Sequence, residues 1–324
     1  MRINIISNDS TCRILKKLYG EGQIDFNCQD KTIVYDYIIV FEYLPIAYEL
    51  KCKENGLIFI TGEPPTIRQY YNSFLKQFDY IITAQEQIEI RPTIKEQLLP
   101  PLFGYNVSKE EMIYSFEQME SLPIPAKSKN ISIIVSNKTM VSGHRKRLGI
   151  VKKIGEDFKG RIDFYGKAVG NPIEDKADAI LPYKFHICIE NCEIANYWTE
   201  KIIDPLIGYS IPIYSGCTNI EDYFPKESMI KIDLDDYEKT KNTLNTLLEN
   251  IDLQYDSMHK SMLKARELYF TKYSFFNRLH SHLQNLNRDI NRGEKTIRLK
   301  PETSFIEFKI RFFIYRLKLY FRNK

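Results

Sequence analysis

A chain of 324 residues, 43% apolar and 27% charged, has room for two domains that each bury a core without disulfide or metal staples. The opening run Met1–Ile6 turns polar at Ser7-Asn8-Asp9, too soon for a secretory leader, and no uncharged stretch reaches the length of a spanning helix, so the expected location is the cytoplasm. The net charge of +4 is uneven: +7 falls from Lys295 onward and −3 on everything before it, which argues against nucleic acid as a partner and points to an anionic surface for the tail alone.

In chain order, the first half alternates strand-like and helix-like segments. Ile3 to Ser7 reads as a strand, Thr11 to Tyr19 as a helix, and Ile33 to Tyr43 as a buried strand. Ile46 to Asn55 has helical character ending at Asn55-Gly56; Leu57 to Thr61 follows as a strand broken by Gly62-Glu63-Pro64-Pro65. Thr66 to Phe78 is helix-like, and Tyr80 to Thr83 is a further short strand. Between Ser108 and Lys129 the periodicity weakens, and Pro123, Pro125 and Lys127-Ser128-Lys129 read as a linker. The second half repeats the pattern, with strands at Ile131–Val135, Ile162–Tyr165, Phe185–Ile189, Ile211–Tyr214 and Met229–Ile232. Helices are expected at Ser142–Phe158, at Trp198–Ile207, and from about Tyr237 to Asn291. The predicted domains are 1–128, 129–270 and a C-terminal helical segment 271–324. Strands alternating with helices argue for parallel sheets covered on both faces, with ligands at the carboxyl ends of the strands.

The most informative stretch is Tyr183 to Asn191 followed by Asn196-Tyr197-Trp198-Thr199-Glu200-Lys201. A buried strand ends in the polar pair Glu190-Asn191, and Thr199 can cap the next helix with Glu200 and Lys201 in its first turn. A lysine there is odd on dipole grounds, since cations favour the other end, and makes sense if an anion such as phosphate sits at the helix start. The bland alternative is a lysine in solvent. The cysteines Cys12, Cys28, Cys52, Cys188, Cys192 and Cys217 lack framework or zinc spacing and read as reduced, mostly buried thiols. His186, on an apolar strand, reads as a satisfied core residue, and the other four histidines form no triad. Asp233, Asp235 and Asp236 read as helix caps rather than a metal motif.

The stretch Ile189-Glu190-Asn191, Tyr197 to Lys201, Ile211-Pro212-Ile213-Tyr214, Gly216 and Asn219 resembles the signature of the α-1,3-fucosyltransferases, glycosyltransferase family 10, of the bacterial type. Here Ile189 replaces the family's Phe, Trp198 its Val, and Cys192 the usual small residue after Asn. Val135-Ser136-Asn137, Arg145 and Asp163 to Gly166 extend the likeness backward, and Thr61-Gly62-Glu63-Pro64 resembles the strand-end base of the first half. The resemblance implies an α/β fold of two Rossmann-like domains facing across a cleft, the GT-B type. It makes 1–128 the acceptor domain and 129–270 the GDP-sugar donor domain. It implies an inverting transfer of L-fucose from GDP-fucose to a glycan hydroxyl, α-1,3 to N-acetylglucosamine by default, with no bound metal or other cofactor. A surface polysaccharide or lipopolysaccharide is the implied acceptor. In this reading Arg145 and Lys201 hold the pyrophosphate, with Lys146 and Arg147 as rivals of Arg145; Asn191, Tyr197 and Glu200 contact ribose or sugar, Glu200 also steadies the oxocarbenium-like centre, and Glu63 is the catalytic base, its bland alternative a turn cap before Pro64-Pro65. The rivals are the same scaffold with another nucleotide sugar, and a non-catalytic glycan- or nucleotide-binding protein.

The tail carries two apolar stripes if helical, Ile306/Ile310/Phe313/Ile314/Leu317/Phe321 and Phe305/Phe308/Phe312/Tyr315/Leu319, with cations between them. Residues 295–324 are therefore expected to lie on an anionic membrane, at the inner face of the cytoplasmic membrane, with packing against protein as the alternative.

Overall fold

The computed structural model describes residues 1–20, 22, 24–135, 142–286 and 292–311, with only the backbone of 142–147. The chain forms two compact units. One comprises Met1–Lys16, Gly20–Glu96 and Asn287–Lys324, and the other Lys17–Tyr19 and Gln97–Leu286. These limits differ from the sequence-based boundaries at 128 and 270 for two reasons. Residues after 96 are tied to the second unit: the Leu102 N–H donates to the Asp204 carboxylate (2.9 Å), Tyr209 Oη donates to Leu122 O (2.7 Å), and Arg266 donates to Met119 O (2.6 Å). The strand Glu294–Leu299 returns to the first unit, pairing antiparallel with Tyr48–Lys53.

The first unit is built on β1 (Ile3–Ile6), helix α1 (Asp9–Tyr19), β2 (Ile24–Phe26), β3 (Tyr37–Phe41), β4 (Leu57–Ile60), β5 (Tyr80–Ile82) and β6 (Thr93–Ile94). The strands form one parallel sheet in the order β2-β1-β3-β4-β5-β6. β1, β3 and β4 are buried at every position, which is why they read as unbroken Ile/Val/Leu/Phe runs rather than as alternation. Two expectations are corrected here. Ile46–Asn55 is not a helix: Tyr48, Leu50 and Cys52 face inward while Glu49, Lys51 and Lys53 face outward, a period of two that makes Tyr48–Lys53 a strand. Thr66–Phe78 is helical only at Asn72–Leu75. In addition, Ile33–Tyr43 is two strands in different sheets, Val34–Tyr35 beside Tyr48–Lys53 and β3 in the main sheet.

The second unit holds β7 (Lys129–Ile134), α2 (Ser142–Asp157), β8 (Asp163–Tyr165), β9 (Tyr183–Ile189), α3 (Glu200–Ile207), β10 (Ile211–Ser215), β11 (Ile230–Lys231), α4 (Tyr237–Glu249), α5 (Ile251–Leu268) and α6 (Phe275–Leu286). Its parallel sheet runs β8-β7-β9-β10-β11, so β9 is central and its carboxyl end opens at the middle of the sheet edge. Asp236 caps α4 by accepting from Lys239 N (3.0 Å), as its position after a strand suggested. Lys127, expected in a linker, is half-buried instead: its ammonium donates to Leu181 O (2.9 Å), Gly208 O (2.6 Å) and Ser210 Oγ (3.1 Å).

Of the tail, 306–311 is helical. Phe305 packs edge-on against Phe74 (6.3 Å between centroids) and Phe308 against Tyr71 (6.2 Å), while Ile306 and Ile310 are 71% and 53% exposed. One stripe therefore begins on the body of the first unit, and the other begins in the open. The remainder of both stripes, 312–324, lies outside the described residues. Among the described residues no helix is long and apolar enough to cross a membrane.

Candidate functional site

The second unit's site grows out of the end of β9. This strand is buried because it lies between β7 and β10, and its apolar run stops where the sheet's hydrogen bonding stops: Glu190 N–H makes the last ladder bond, to Ser215 O at 2.9 Å. The Glu190 side chain is fully enclosed (0% exposed) and therefore must be bonded. Its Oε1 accepts from Thr199 N (2.8 Å) and both oxygens bond Thr199 Oγ1 (3.0 and 2.8 Å). Gly216 makes room for it, since a Cβ there would stand 2.7 Å from Glu190 Cβ.

Between β9 and α3 the chain turns through Asn196, which has φ 62° in the left-handed region that Asn tolerates better than most residues. Asn219 holds that turn, accepting from Asn196 N (2.7 Å) and donating Nδ2 to Asn196 Oδ1 (2.9 Å), while Tyr223 Oη donates to the same oxygen (2.7 Å). Trp198 is buried in a ring cluster of Tyr223, Phe224 and Tyr273, with the Arg278 guanidinium of α6 stacked 4.6 Å from its ring centre. Its indole N–H has no hydrogen-bond partner among the described residues. The bulky residue thus locks the segment before α3 onto the C-terminal helices.

Thr199 caps α3, its Oγ1 accepting from Lys201 N at 3.3 Å. Lys201 does not extend into solvent. Its Nζ donates to Thr199 Oγ1 (3.0 Å) and Glu200 Oε1 (3.1 Å) and stands 3.4 Å from Glu190 Oε2. One ammonium is thus gripped by two carboxylates at a helix start. Partial burial alone would raise the Glu200 carboxyl, but Lys201 and then Lys176 pull it down to about 2. Burial raises Glu190 against the pull of Lys201. One turn on, the buried Asp204 is pushed up to about 7 by burial, although Lys176 stands 3.6 Å away.

Of the residues singled out from sequence, Glu200 and Lys201 are joined directly, and Glu190 and Thr199 complete their cluster. Asn191 is half-buried immediately after Glu190. Tyr197 is 1% exposed, a packed residue rather than one offered at a surface. Arg145 lies on α2, and its side chain is outside the description. His186 is buried and paired with Ser132 Oγ (2.8 Å), as a core histidine should be, and burial pushes its pKa down to about 3.

Glu63 belongs to the first unit, just past the carboxyl end of β4, and is half-buried. Gln85 Nε2 fixes the turn by donating to Glu63 O (2.8 Å) and Arg68 O (3.0 Å). Sequence reasoning overlooked Glu42. It follows β3 with φ 60°, a costly backbone for a non-glycine residue, and its carboxylate lies against Gly62 so closely that a Cβ there would collide. Two acidic side chains therefore stand at the carboxyl ends of neighbouring strands, and the Glu42 carboxylate occupies the space beside Gly62. The sole signal in the sequence was an acid inside an otherwise apolar run.

Residues 124–298, more than half of the chain, match the family model Glycosyltransferase family 10 (fucosyltransferase) C-term. The chain is 28% identical over 98 residues to the alpha-(1,3)-fucosyltransferase FucT of Helicobacter pylori, 30% of this chain and 20% of that protein. It is 29% identical over 133 residues to the human 4-galactosyl-N-acetylglucosaminide 3-alpha-L-fucosyltransferase 9, 40% of this chain and 35% of that one. These matches span well under two thirds of either relative. A crystal structure of an alpha1,3-fucosyltransferase with GDP-fucose superposes with TM-score 0.56 and 18% identity, covering 90% of this chain and 91% of that one. That likeness establishes the α/β fold as the GT-B type.

Proposed function

Since the chain belongs to glycosyltransferase family 10, the fucosyltransferases, we propose that it transfers L-fucose from GDP-fucose to a glycan hydroxyl with inversion at the anomeric carbon. The observation that carries the reading is Lys201 Nζ held at the start of α3 by Thr199 and Glu200, where helix dipole and ammonium together suit a diphosphate. As the sugar–phosphate bond breaks, Lys201 and Arg145 neutralise the charge growing on the leaving GDP, so the chemistry asks for no metal. Glu200, ionised at neutral pH, supplies the negative charge that an oxocarbenium-like centre needs. Asn191 and Tyr197 contact the nucleotide ribose or the sugar. Glu63 takes the proton of the acceptor hydroxyl attacking from the opposite face, a contribution of about 10²–10⁴ in rate. The acceptor is N-acetylglucosamine, linked α-1,3, in a surface polysaccharide or lipopolysaccharide, reached by a protein lying on the inner face of the cytoplasmic membrane through its basic tail.

The test is GDP release from GDP-fucose with and without N-acetyllactosamine, beside other nucleotide sugars. Acceptor-stimulated release from GDP-fucose alone is the expected result. Release from a different donor overturns the fucose assignment, and no donor binding at all overturns the transferase reading. Lys201→Ala is expected to weaken donor binding and turnover together, and Glu63→Gln to spare donor binding and lose mainly kcat. Full turnover by a folded Glu63→Gln protein moves the base elsewhere, with Glu42 next in line.

A further inference from the structure

Building on the donor reading, we infer that Glu190 is a proton-coupled positioning residue: an arriving diphosphate draws Lys201 away from the Glu190 carboxylate, and Glu190 then takes up one proton from solvent. The geometry sets the problem. Lys201 Nζ is shared between Glu190 Oε2 (3.4 Å) and Glu200 Oε1 (3.1 Å), so the three groups carry one net negative charge when all are ionised. That is the wrong sign for a phosphate site, and one proton brings the three groups to neutrality while leaving the ammonium charged.

The proton belongs on Glu190 and not on Glu200 for reasons visible in their surroundings. Glu200 is 18% exposed in the first turn of α3, where the dipole favours negative charge, and it also feels Lys176. Glu190 also sits at the start of α3, accepting from the Thr199 N–H, but it has no exposure at all, and that enclosure is what separates it from Glu200. The groups that face Glu190 from its own strand and loop are Cys188 and Cys192; from α3, Glu200 and Lys201; and from β10 and the turn after it, Tyr214 and Cys217. The thiols and the phenol are pushed further up by burial and stay neutral, so Lys201 is the one cation among these described groups. Once an anion claims it, burial and two negative neighbours act on Glu190 in the same direction. Departure of Lys201 Nζ frees an acceptor site on Thr199 Oγ1, so the local bonding accepts the change. A protonated Oε2 donates to Thr199 Oγ1 across the existing 2.8 Å contact, the hydroxyl reversing its role, while Oε1 keeps the Thr199 N–H.

The proposal is tested by titration calorimetry of GDP-fucose into the full chain at one pH in buffers of different ionisation enthalpy. The diphosphate diester of GDP-fucose does not titrate near neutrality, so the protons counted are the protein's. Uptake approaching one proton per donor is expected. Equivalently, the donor Kd should weaken toward tenfold per pH unit on the alkaline side. Glu190→Gln keeps an acceptor for Thr199 but holds no charge, and it is expected to bind without uptake, with a nearly flat pH profile and several-fold more tightly than wild type at pH 8. A purely structural Glu190 would leave the proton count of wild type at zero. Binding by wild type without uptake, or equal uptake by a folded Glu190→Gln protein, overturns the inference while leaving the transferase reading intact. If the variant does not fold, the wild-type pH profile alone decides. Absence of donor binding at every pH overturns the donor reading and this inference with it.

Discussion

Thr199→Val removes one hydroxyl and almost no volume, and its cost can be worked from four contacts. Oγ1 caps α3 by accepting from Lys201 N (3.3 Å), bonds both oxygens of the enclosed Glu190 (3.0 and 2.8 Å), and accepts from Lys201 Nζ (3.0 Å). Losing an N-cap costs about 1 kcal/mol. Losing a hydrogen bond to a charged, buried acceptor costs about 1.5–3 kcal/mol. The sum is roughly 2.5–4 kcal/mol, at the lower end if Glu190 picks up a proton in compensation. Trp198 is the chain's single tryptophan and sits next to the substitution, so urea unfolding followed by its fluorescence reads this unit and not the other. Thr199→Ser, which keeps the hydroxyl, should stay within about 1 kcal/mol of wild type. Equal midpoints for the Val and Ser variants would refute the claim that this hydroxyl organises the site.

Three further outcomes follow from single features. Lys127→Met preserves the apolar stem but removes the donor to Leu181 O and Gly208 O, while Ser210 Oγ keeps its bonds to Ile180 O and Tyr183 O, and it should cost about 2–4 kcal/mol by the same fluorescence measurement; a neutral result means the cage is solvated. Asp204, raised by burial from 3.8 to about 7, holds its proton better folded than unfolded, so it adds stability at low pH that is lost as pH rises from about 4 to about 7. That loss should be roughly 2–4 kcal/mol and should flatten in Asp204→Asn, with parallel pH profiles counting against it. Removing 309–324 takes away six cations and leaves both Phe305 and Phe308 on their partners, so it should abolish binding to vesicles with anionic lipid without unfolding the first unit. Unchanged vesicle binding sinks the membrane role. A cut at Lys295 would be a poor test, because it deletes most of the strand paired with Tyr48–Lys53.

The elements most legible in the sequence are those whose pattern is decided locally. β9, α3 and β10 follow from a buried apolar run, a capping threonine and a second apolar run, and each appears within two residues of its expected limits. Tyr48–Lys53 was not legible, because its partner Glu294–Leu299 lies more than two hundred residues away and the Asn55-Gly56 turn ends a strand as readily as a helix. The same is true of Lys127, whose partners come from two distant segments, around Leu181 and around Gly208–Ser210, so a Pro- and Lys-rich stretch looked like a linker. The site divides along the same line. Lys201 was visible as a cation in the wrong place on a helix. The role of Glu190 depends on Thr199, Gly216 and Lys201 converging on it in space.

That convergence explains why a lysine is tolerated in the first turn of α3. Against the dipole alone Lys201 would be destabilising, by about 0.3–1 kcal/mol. Two carboxylates within 3.4 Å more than reverse the balance, so the ammonium is held in place before any substrate arrives. Pre-positioning has a consequence for affinity: a diphosphate must compete with Glu190 for the same ammonium, and only part of the attraction appears as binding. With Glu190 protonated in the donor complex, the freed ammonium meets the charge that builds on the departing GDP at full strength. An arrangement that withholds interaction energy from the ground state and releases it toward the transition state favours turnover over tight binding. If so, Glu190→Gln should bind donor more tightly yet gain nothing in kcat, and a rise in kcat alongside tighter binding would refute this account.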